Sequence, residues 1–496
     1  MNRRRVIVVG AGISGLATAY GLVRGSRAQP PEAGPEVTVL EESAHLGGKI
    51  RTLDFTGLPV DAGPDALLAR SALIRELLVE LGLSSELSRP ATRQACIWTR
   101  GALRPLPPSS LFGVPENPVA LLRSGLLSPW GAVRAGVDLV LPRRDQGDDP
   151  SIAELLRPRF GAEVFDRLIE PLLGGVHAGR AEMLSARSAV PEVFRLLSGA
   201  RSAYLALRQR RPGPAAHRPA GAVTSGPLPA DLGMVTTTSG LQRLVQALVG
   251  AIEAAAPARA QIRTGAEVAS IDRVSIDRDD AGFVVTLATG ERLAADDVVL
   301  ATPAFVIARL LRELSPAAAA ALAGIPYVGV ASVLLAYRRE QLARPLAGSG
   351  FLVPPREGRL IVGSTWSSAK WPHLANGELA VLRCSVGRYG DDRWQDLSDA
   401  VLTTRCHDEL ALAIGLRGEP VQSRVQRWPE AMPQYTVGHE VRLAALDQAL
   451  GTQPGLRVTG AALRGVGLAG CLQQATELAD ALLAETPMAV TAGRTG

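Results

Sequence analysis

The chain has 496 residues, of which 47% are hydrophobic, 20% charged and 4% aromatic, with a formal net charge of +5 and a sequence pI near 9.3. That length exceeds one ordinary hydrophobic core, so two or three domains are expected. The basicity is mild and scattered: it excludes the Lys/Arg-rich block of a nucleic-acid binder and stays compatible with an acidic substrate or an anionic membrane surface.

Cys96, Cys384, Cys406 and Cys471 form no CxxC pair and no zinc-spaced Cys/His cluster. No metal site is expected, and the cysteines read as scattered thiols in a reducing compartment. The first strand is entered by residue 6, which leaves no room for a signal peptide, and no apolar run reaches the length of a membrane span. Cytoplasmic placement is the expectation.

Arg5-Val6-Ile7-Val8-Val9 reads as a buried strand running into Gly10-Ala11-Gly12-Ile13-Ser14-Gly15 and an apolar helix to about Val23. Strand, glycine turn and helix start bring backbone N–H groups and the positive helix end up to a pyrophosphate. Gly10 makes the turn, Gly12 admits the diphosphate, and Gly15 lets helix and strand approach. After a Pro/Gly-rich loop, Val37–Leu40 forms the second strand, ending at Glu41 and Glu42. A carboxylate at that strand end accepts hydrogen bonds from ribose hydroxyls. A second glycine pair follows in Leu46-Gly47-Gly48-Lys49-Ile50-Arg51-Thr52. A nicotinamide enzyme does not need it, whereas a long flavin cofactor requires chain close to its diphosphate and ribityl. Lys49 and Arg51 would neutralise phosphate or flavin charge, or stand as surface charges. The turn Asp61-Ala62-Gly63-Pro64-Asp65 offers backbone to the edge of an isoalloxazine ring.

Residues 90 to 205 read as mostly helical. The apolar stretch Val119–Leu141, with Arg123 and Arg134 interspersed, reads either as a membrane-docking or substrate-tunnel face or as ordinary helix packing. Residues 208–232 are Arg/Pro/Gly/Ala-rich and aperiodic and read as a loop. Val268–Ile271, Gly282–Leu287 and Ala295–Thr302 are strands of a returning nucleotide fold. Strands over Gly329–Tyr337, Arg359–Thr365 and Glu378–Val386, with a helix over about Asp396–Ile414, make a second sheet domain covering the cofactor. Leu456–Gly460 returns again to the first domain. There Gly465-Val466-Gly467 leads into an amphipathic helix. Its N-terminus would stabilise negative charge on a reduced flavin, or the helix simply docks.

The glycine loop, Leu46–Thr52, Gly63-Pro64-Asp65, Leu168–Gly179, Thr365–His373, Arg427–Tyr435 and Gly465–Gly467 together resemble the FAD-dependent porphyrinogen oxidases of haem synthesis. The Gly-Pro-Asp turn, the TWxxxKWPH run and the MPQYxVGH run resemble the Gram-positive coproporphyrinogen III oxidase branch in particular.

The resemblance spans nearly the whole chain and implies an α/β fold. It comprises a glutathione-reductase-like, FAD-binding Rossmann domain (1–90, 233–310 and 426–486), a helical domain (91–207), a flexible loop (208–232) and a mixed-sheet substrate domain (311–425). FAD contacts are implied for Gly10, Ala11, Gly12, Ile13, Ser14, Gly15, Glu41, Glu42, Gly48, Lys49, Arg51, Gly63, Pro64, Asp65, Ala66, Val268, Trp428, Gly460, Val466, Gly467 and Leu468. Substrate contacts are implied for Arg70, Gly175, Val176, His177, Trp366 and Lys370, with the Gly175 carbonyl beside a pyrrole N–H. His177 stands where close relatives commonly carry Tyr.

The activity implied is oxidation of coproporphyrinogen III to coproporphyrin III, in three two-electron steps, with O2 reduced to hydrogen peroxide. Protoporphyrinogen IX is the alternative substrate. A flavin amine oxidase, a carotenoid desaturase and a non-catalytic porphyrin carrier are the remoter readings. An amine oxidase would want an aromatic cage that a 4% aromatic chain supplies poorly. No catalytic side chain is assigned beyond a proton relay at His177, with His439 a second candidate. Arg70, Lys370, His373 and Arg388 are the cations available to propionates. Peripheral membrane contact and hand-off to the next haem-synthesis enzyme belong to the same expectation, and nucleic acid does not.

Overall fold

Val6–Val9 are almost wholly buried because their strand lies at the centre of a five-stranded parallel sheet. The order across that sheet is Ala260–Arg263, Glu36–Leu40, Arg5–Val9, Asp297–Leu300 and Leu456–Val458. A parallel sheet is covered on both faces, which is why its strands read as continuous apolar runs. The computed structural model describes residues 3–25, 34–107, 110–111, 113–115, 117–142, 146–209, 228–277, 280–375 and 377–485. Most of the predicted loop 208–232 lies outside the described residues.

On one face of the sheet pack the helices Ile13–Gly25, Gln242–Ala255 and Leu468–Ala484. The other face carries the antiparallel sheet of Val268–Asp277, Asp280–Leu287 and Arg292–Ala295. The first and last helices touch through small residues. A Cβ on Gly21 would come within 2.6 Å of Ala479 Cβ, and one on Gly25 within 2.3 Å of Leu483 Cδ1. The carboxy-terminal helix thereby caps the amino-terminal strand-turn-helix.

A seven-stranded mixed sheet forms the second layer, in the order Gln422–Pro433, Tyr327–Arg338, Leu379–Val386, Ile361–Thr365, Gly350–Leu352, Cys96–Thr99 and Ala102–Pro105. Its outer face packs on the helix Asp399–Ile414. Its inner face meets the hairpin of Thr52–Phe55 and Leu58–Asp61.

Two segments pair across the boundaries expected from sequence. Cys96–Pro105, grouped by sequence with the helical segment, pairs into this sheet, and Gln422–Pro433 crosses the expected 425/426 boundary as its edge strand. The reason is pairing: Cys96-Ile97-Trp98-Thr99 is a short apolar run that finds a parallel neighbour at Phe351–Leu352, a contact about 250 residues away that no local pattern announces.

The helical layer spans Pro118 to Gln209 and has its own core, including Phe160, Phe165, Leu168 and Leu197. A π-helical turn at Phe165–Ile169 leads into the helix Glu170–His177. That helix crosses to the sheet, where a Cβ on Gly175 would lie 2.9 Å from Leu352 Cδ2.

Candidate functional site

Gly10 has φ +99°, and its N–H donates to Leu40 O at 2.7 Å. A Cβ on Gly15 would fall 1.9 Å from Gly10 O, so no larger residue fits there. Gly12 differs, because a Cβ there would meet no protein atom within 4 Å. The strand-turn-helix therefore crowds its first and third glycines and leaves open space beside the second, where a diphosphate belongs. Ala11, Ile13 and Ser14 are buried between them. The second glycine pair lies alongside: Gly47 bridges Gly12, and Gly47 N–H donates to Ala11 O at 2.9 Å.

Glu41 stands at the end of its strand. Its carboxylate accepts from Ala11 N–H at 2.8 Å and from Ser43 N–H at 3.1 Å, one bond per oxygen. Each oxygen retains acceptor capacity for a ribose hydroxyl. Glu42 is exposed. Val268 is buried at the start of its strand, near where Ala266 N–H donates to Glu41 O at 2.8 Å.

Lys49 is half-buried, and burial lowers its pKa, with Cys471 and Glu430 acting against that. Among the described residues its ammonium has no hydrogen-bond or ion-pair partner. An unpaired, partly desolvated cation beside an open glycine cradle fits an anionic cofactor. Arg51 lies 3.3 Å from His45 Nε2. A Cβ on Gly63 would fall 2.1 Å from Lys49 O, so the Gly63–Ala66 turn lies directly on the Lys49 backbone. Trp428 Nε1–H donates to Ala62 O at 3.3 Å, closing the turn from the second sheet. Gly467 precedes the helix Leu468–Ala484, and neither Gly467 nor Gly460 has a protein atom within 4 Å of an added Cβ. Tyr435 fixes this loop: its hydroxyl donates to Ala461 O at 2.6 Å and accepts from Gly465 N–H at 2.9 Å. Val466 packs toward the helical core.

Asp65 binds Lys370 at 2.8 Å, Arg383 at 3.5 Å and Trp371 Nε1–H at 3.2 Å. Burial pulls the Asp65 pKa upward, yet Lys370 and Arg383 outweigh it and hold the carboxyl well below the usual carboxylate range. Arg383 also donates to Asp61 O at 3.1 Å and Gly63 O at 2.7 Å. Asp61 accepts from Thr52 Oγ1–H at 2.5 Å and Leu241 N–H at 3.0 Å, and burial pushes its pKa up to about 7. Sequence reading missed Arg383 and the Asp61 side chain. The available signal was a charge inside the otherwise apolar strand Leu379–Val386.

The substrate candidates divide. Gly175, Val176 and Arg70 are exposed. Trp366 is 3% exposed and packs on Phe351 in the outer core of the seven-stranded sheet, so its ring serves the fold. Lys370 is paired with Asp65. His177 is turned inward at 6% exposure, and burial lowers its pKa to about 4. Burial favours the neutral imidazole, which can still accept a proton, and its Nε2 has no hydrogen-bond partner among the described residues. His439 is fully buried, stacks on Tyr435 at 4.1 Å and donates from Nε2 to Leu463 O at 2.9 Å, which is a structural role. A cleft of about 530 Å³ lined by Gln146, Asp148, Asp149, Glu154 and Arg159 lies away from the glycine loop. Asp149, Glu154 and Arg159 there are engaged by Ser185, the Ser151 capping box and Asp138.

The sequence pattern of flavin-containing amine oxidoreductases matches residues 13–483. The chain is similar to the coproporphyrinogen III oxidase of Bacillus subtilis, at 32% identity over 97% of this chain and 98% of that protein. It is similar also to that of Mycobacterium leprae, at 33% over 98% and 99%, and to that of Staphylococcus aureus, at 30% over 97% and 99%. A solved structure from Exiguobacterium, provisionally assigned as a protoporphyrinogen oxidase, superposes with a TM-score of 0.82 at 29% identity, covering 98% of this chain and all of that one. A reduced UDP-galactopyranose mutase shares the fold, with a TM-score of 0.66 at 16% identity.

Proposed function

The chain belongs to the flavin-containing amine oxidoreductase family, in the branch of the bacterial coproporphyrinogen III oxidases, and we propose that it oxidises coproporphyrinogen III to coproporphyrin III with FAD as cofactor. The balance is one coproporphyrinogen and three O2 giving one coproporphyrin and three H2O2. The observation that carries this reading is near-full-length similarity at 30–35% to enzymes of that name, joined to the open cradle at Gly12.

FAD, when bound, supplies the two-electron redox chemistry; the chain positions and shields. The N–H groups of the Gly10–Gly15 turn and the helix start would hold the diphosphate. Glu41 would hold a ribose, and Lys49 would balance negative charge near the ring. The Gly63–Ala66 turn, Trp428 and the Gly467 helix start would frame the isoalloxazine. Gly175 and Val176, exposed on their helix, would face the macrocycle. Aromatisation drives the loss of pyrrole protons, so a strong side-chain base is not required.

Anaerobic addition of coproporphyrinogen III to the yellow protein tests this. Bleaching of the flavin band, followed on aeration by three peroxides per porphyrin formed, supports the assignment. Faster turnover of protoporphyrinogen IX would move it to the neighbouring branch, whose Arabidopsis chloroplast member is 28% identical. No bleaching with either substrate would leave a flavoprotein that carries porphyrin without oxidising it. The proposal extends to a cytoplasmic setting, peripheral contact with a membrane, and transfer of product to the next enzyme. Among the described residues no helix is long and apolar enough to cross a membrane.

A further inference from the structure

Four cations were available by sequence to receive the carboxylates of an acidic substrate, and the fold disposes of them differently. Lys370 is paired with Asp65. His373 has its pKa lowered by burial to about 4 and is uncharged at neutral pH. Arg70 is exposed to solvent. Arg388 is 8% exposed, and its Nε has no hydrogen-bond partner. Among the described residues no carboxylate lies within ion-pairing distance of its guanidinium. The nearby acids are engaged elsewhere: Asp391 is held by Arg393 at 2.7 Å through both oxygens, and Glu170 accepts from Ala181 N–H at 3.1 Å. Burial lowers the Arg388 pKa, with Asp391 and Glu170 only partly compensating.

The position of this group is specific. Gly387, at φ +96°, turns the chain out of the seven-stranded sheet, and a Cβ there would lie 3.1 Å from Val330 Cα. Val330 is the register partner of Trp428. One residue beyond Arg388, Tyr389 N–H donates at 2.7 Å to the carbonyl of Ala178, the left-handed cap of the helix Glu170–His177. The Arg388 segment therefore joins the Trp428 end of the sheet to the helix end bearing Gly175 and Val176.

Removing a buried ion's partner costs several kcal/mol, so an unpaired buried charge persists chiefly where a ligand supplies the counter-charge. The planar guanidinium fork matches a carboxylate in a two-point contact. We infer that Arg388 is a carboxylate receptor of the substrate pocket, taking one propionate of a tetracarboxylate porphyrinogen. This rests on the proposed function and adds to it a residue that selects substrate by the position of its carboxylates.

The experiment uses the FAD-loaded full chain as parent, R388M and R388K. It titrates coproporphyrin III and its tetramethyl ester by fluorescence quenching, and it measures KM and kcat with coproporphyrinogen III. The parent is expected to bind the tetra-acid well ahead of the ester. R388M should weaken tetra-acid binding by about tenfold, about 1.4 kcal/mol, and raise KM by more than it lowers kcat. Ester binding should stay unchanged, and R388K should recover part of the loss. R388M exchanges an unpaired buried charge for an apolar side chain of similar length, so its thermal midpoint should be no lower than the parent's. Parental binding of both porphyrins by R388M would overturn the inference and make the guanidinium structural. So would equal weakening of both, or a lowered midpoint with binding intact. A parent that binds the tetra-acid selectively through Arg388 but oxidises no porphyrinogen would overturn the proposed function and leave this inference standing.

Discussion

Three glycines in one turn have three different physical duties, and substitution should separate them. Gly15 faces Gly10 O at 1.9 Å from an added Cβ, whereas Gly12 faces nothing within 4 Å. Gly15→Ala must push helix from strand, so it should lower the thermal midpoint of the flavin-free protein by several degrees as well as leave it colourless. Gly12→Ala should keep the parental midpoint without flavin and lose FAD affinity by tenfold or more, because its methyl occupies only the space meant for the diphosphate. Thermal melts of the flavin-free forms and FAD titration distinguish the two. Equal destabilisation by both would mean that the open space at Gly12 is not a cofactor cradle.

At the scale of elements, the junction between the first domain and the seven-stranded sheet is electrostatic where the cofactor turn lies. Asp65 is 17% exposed, Lys370 13% and Arg383 11%. Two cations share one carboxylate, so removing that carboxylate strands both. Asp65→Asn should cost about 3–5 kcal/mol, read as a lowered urea midpoint. Lys370→Met in the Asp65→Asn background should restore part of it. Lys370→Met alone should cost less than Asp65→Asn, since Arg383 still pairs with Asp65. Additive losses in the double variant would contradict the pairing. The same junction shows what local sequence left open. Nothing local to Lys370 announces a partner 305 residues away, and the burial of Trp366 depends on a sheet closed by Phe351.

For the whole molecule, buried titratable groups set opposing pH dependences. Glu170 has its pKa raised by burial, with Glu182 adding, to about 7 from an ordinary 4.5. Between those values the folded state holds a proton that the unfolded chain has lost, so this contribution is full below about pH 4.5 and is lost as pH rises through 7. Asp61, raised to about 7 from 3.8, acts in the same direction. His177, lowered to about 4 from 6.5, acts oppositely: its contribution is present above about pH 6.5 and is lost as pH falls toward 4. Glu170→Gln keeps an acceptor for Ala181 N–H and removes the ionisation. Its stability relative to the parent should grow from pH 5 to pH 8, by up to about 3 kcal/mol. A parallel pair of stability curves would refute the shifted carboxyl.

The outer surface carries a second whole-molecule property. Trp130 is 82% exposed, Val140 70%, Val133 62% and Leu122 58%, on the segment whose inner face, Leu121, Leu126 and Ala135, joins the helical core. Ordinary helix packing accounts for the inner face of Val119–Leu141, and the outer face is apolar and exposed. Large exposed apolar patches mark interaction surfaces, and these four side chains share one segment. Trp130→Ser with Val133→Ser should reduce co-sedimentation with anionic phospholipid vesicles severalfold while preserving turnover in solution. Unchanged co-sedimentation would remove this face as the membrane contact.

The amino-acid sequence by itself determined the glycine turn, the acid at the end of the second strand and the apolar strands of the parallel sheet. Each is a local consequence of short-range sterics and of burial on both faces, written in adjacent residues. Tertiary structure alone decided which charges are free. Lys370 and Arg388 are both basic residues near apolar strands, and nothing in their neighbours separates them. One meets a carboxylate across 305 residues and the other meets none among the described residues, because ion pairing depends on distance in space and low-dielectric burial rather than on order along the chain.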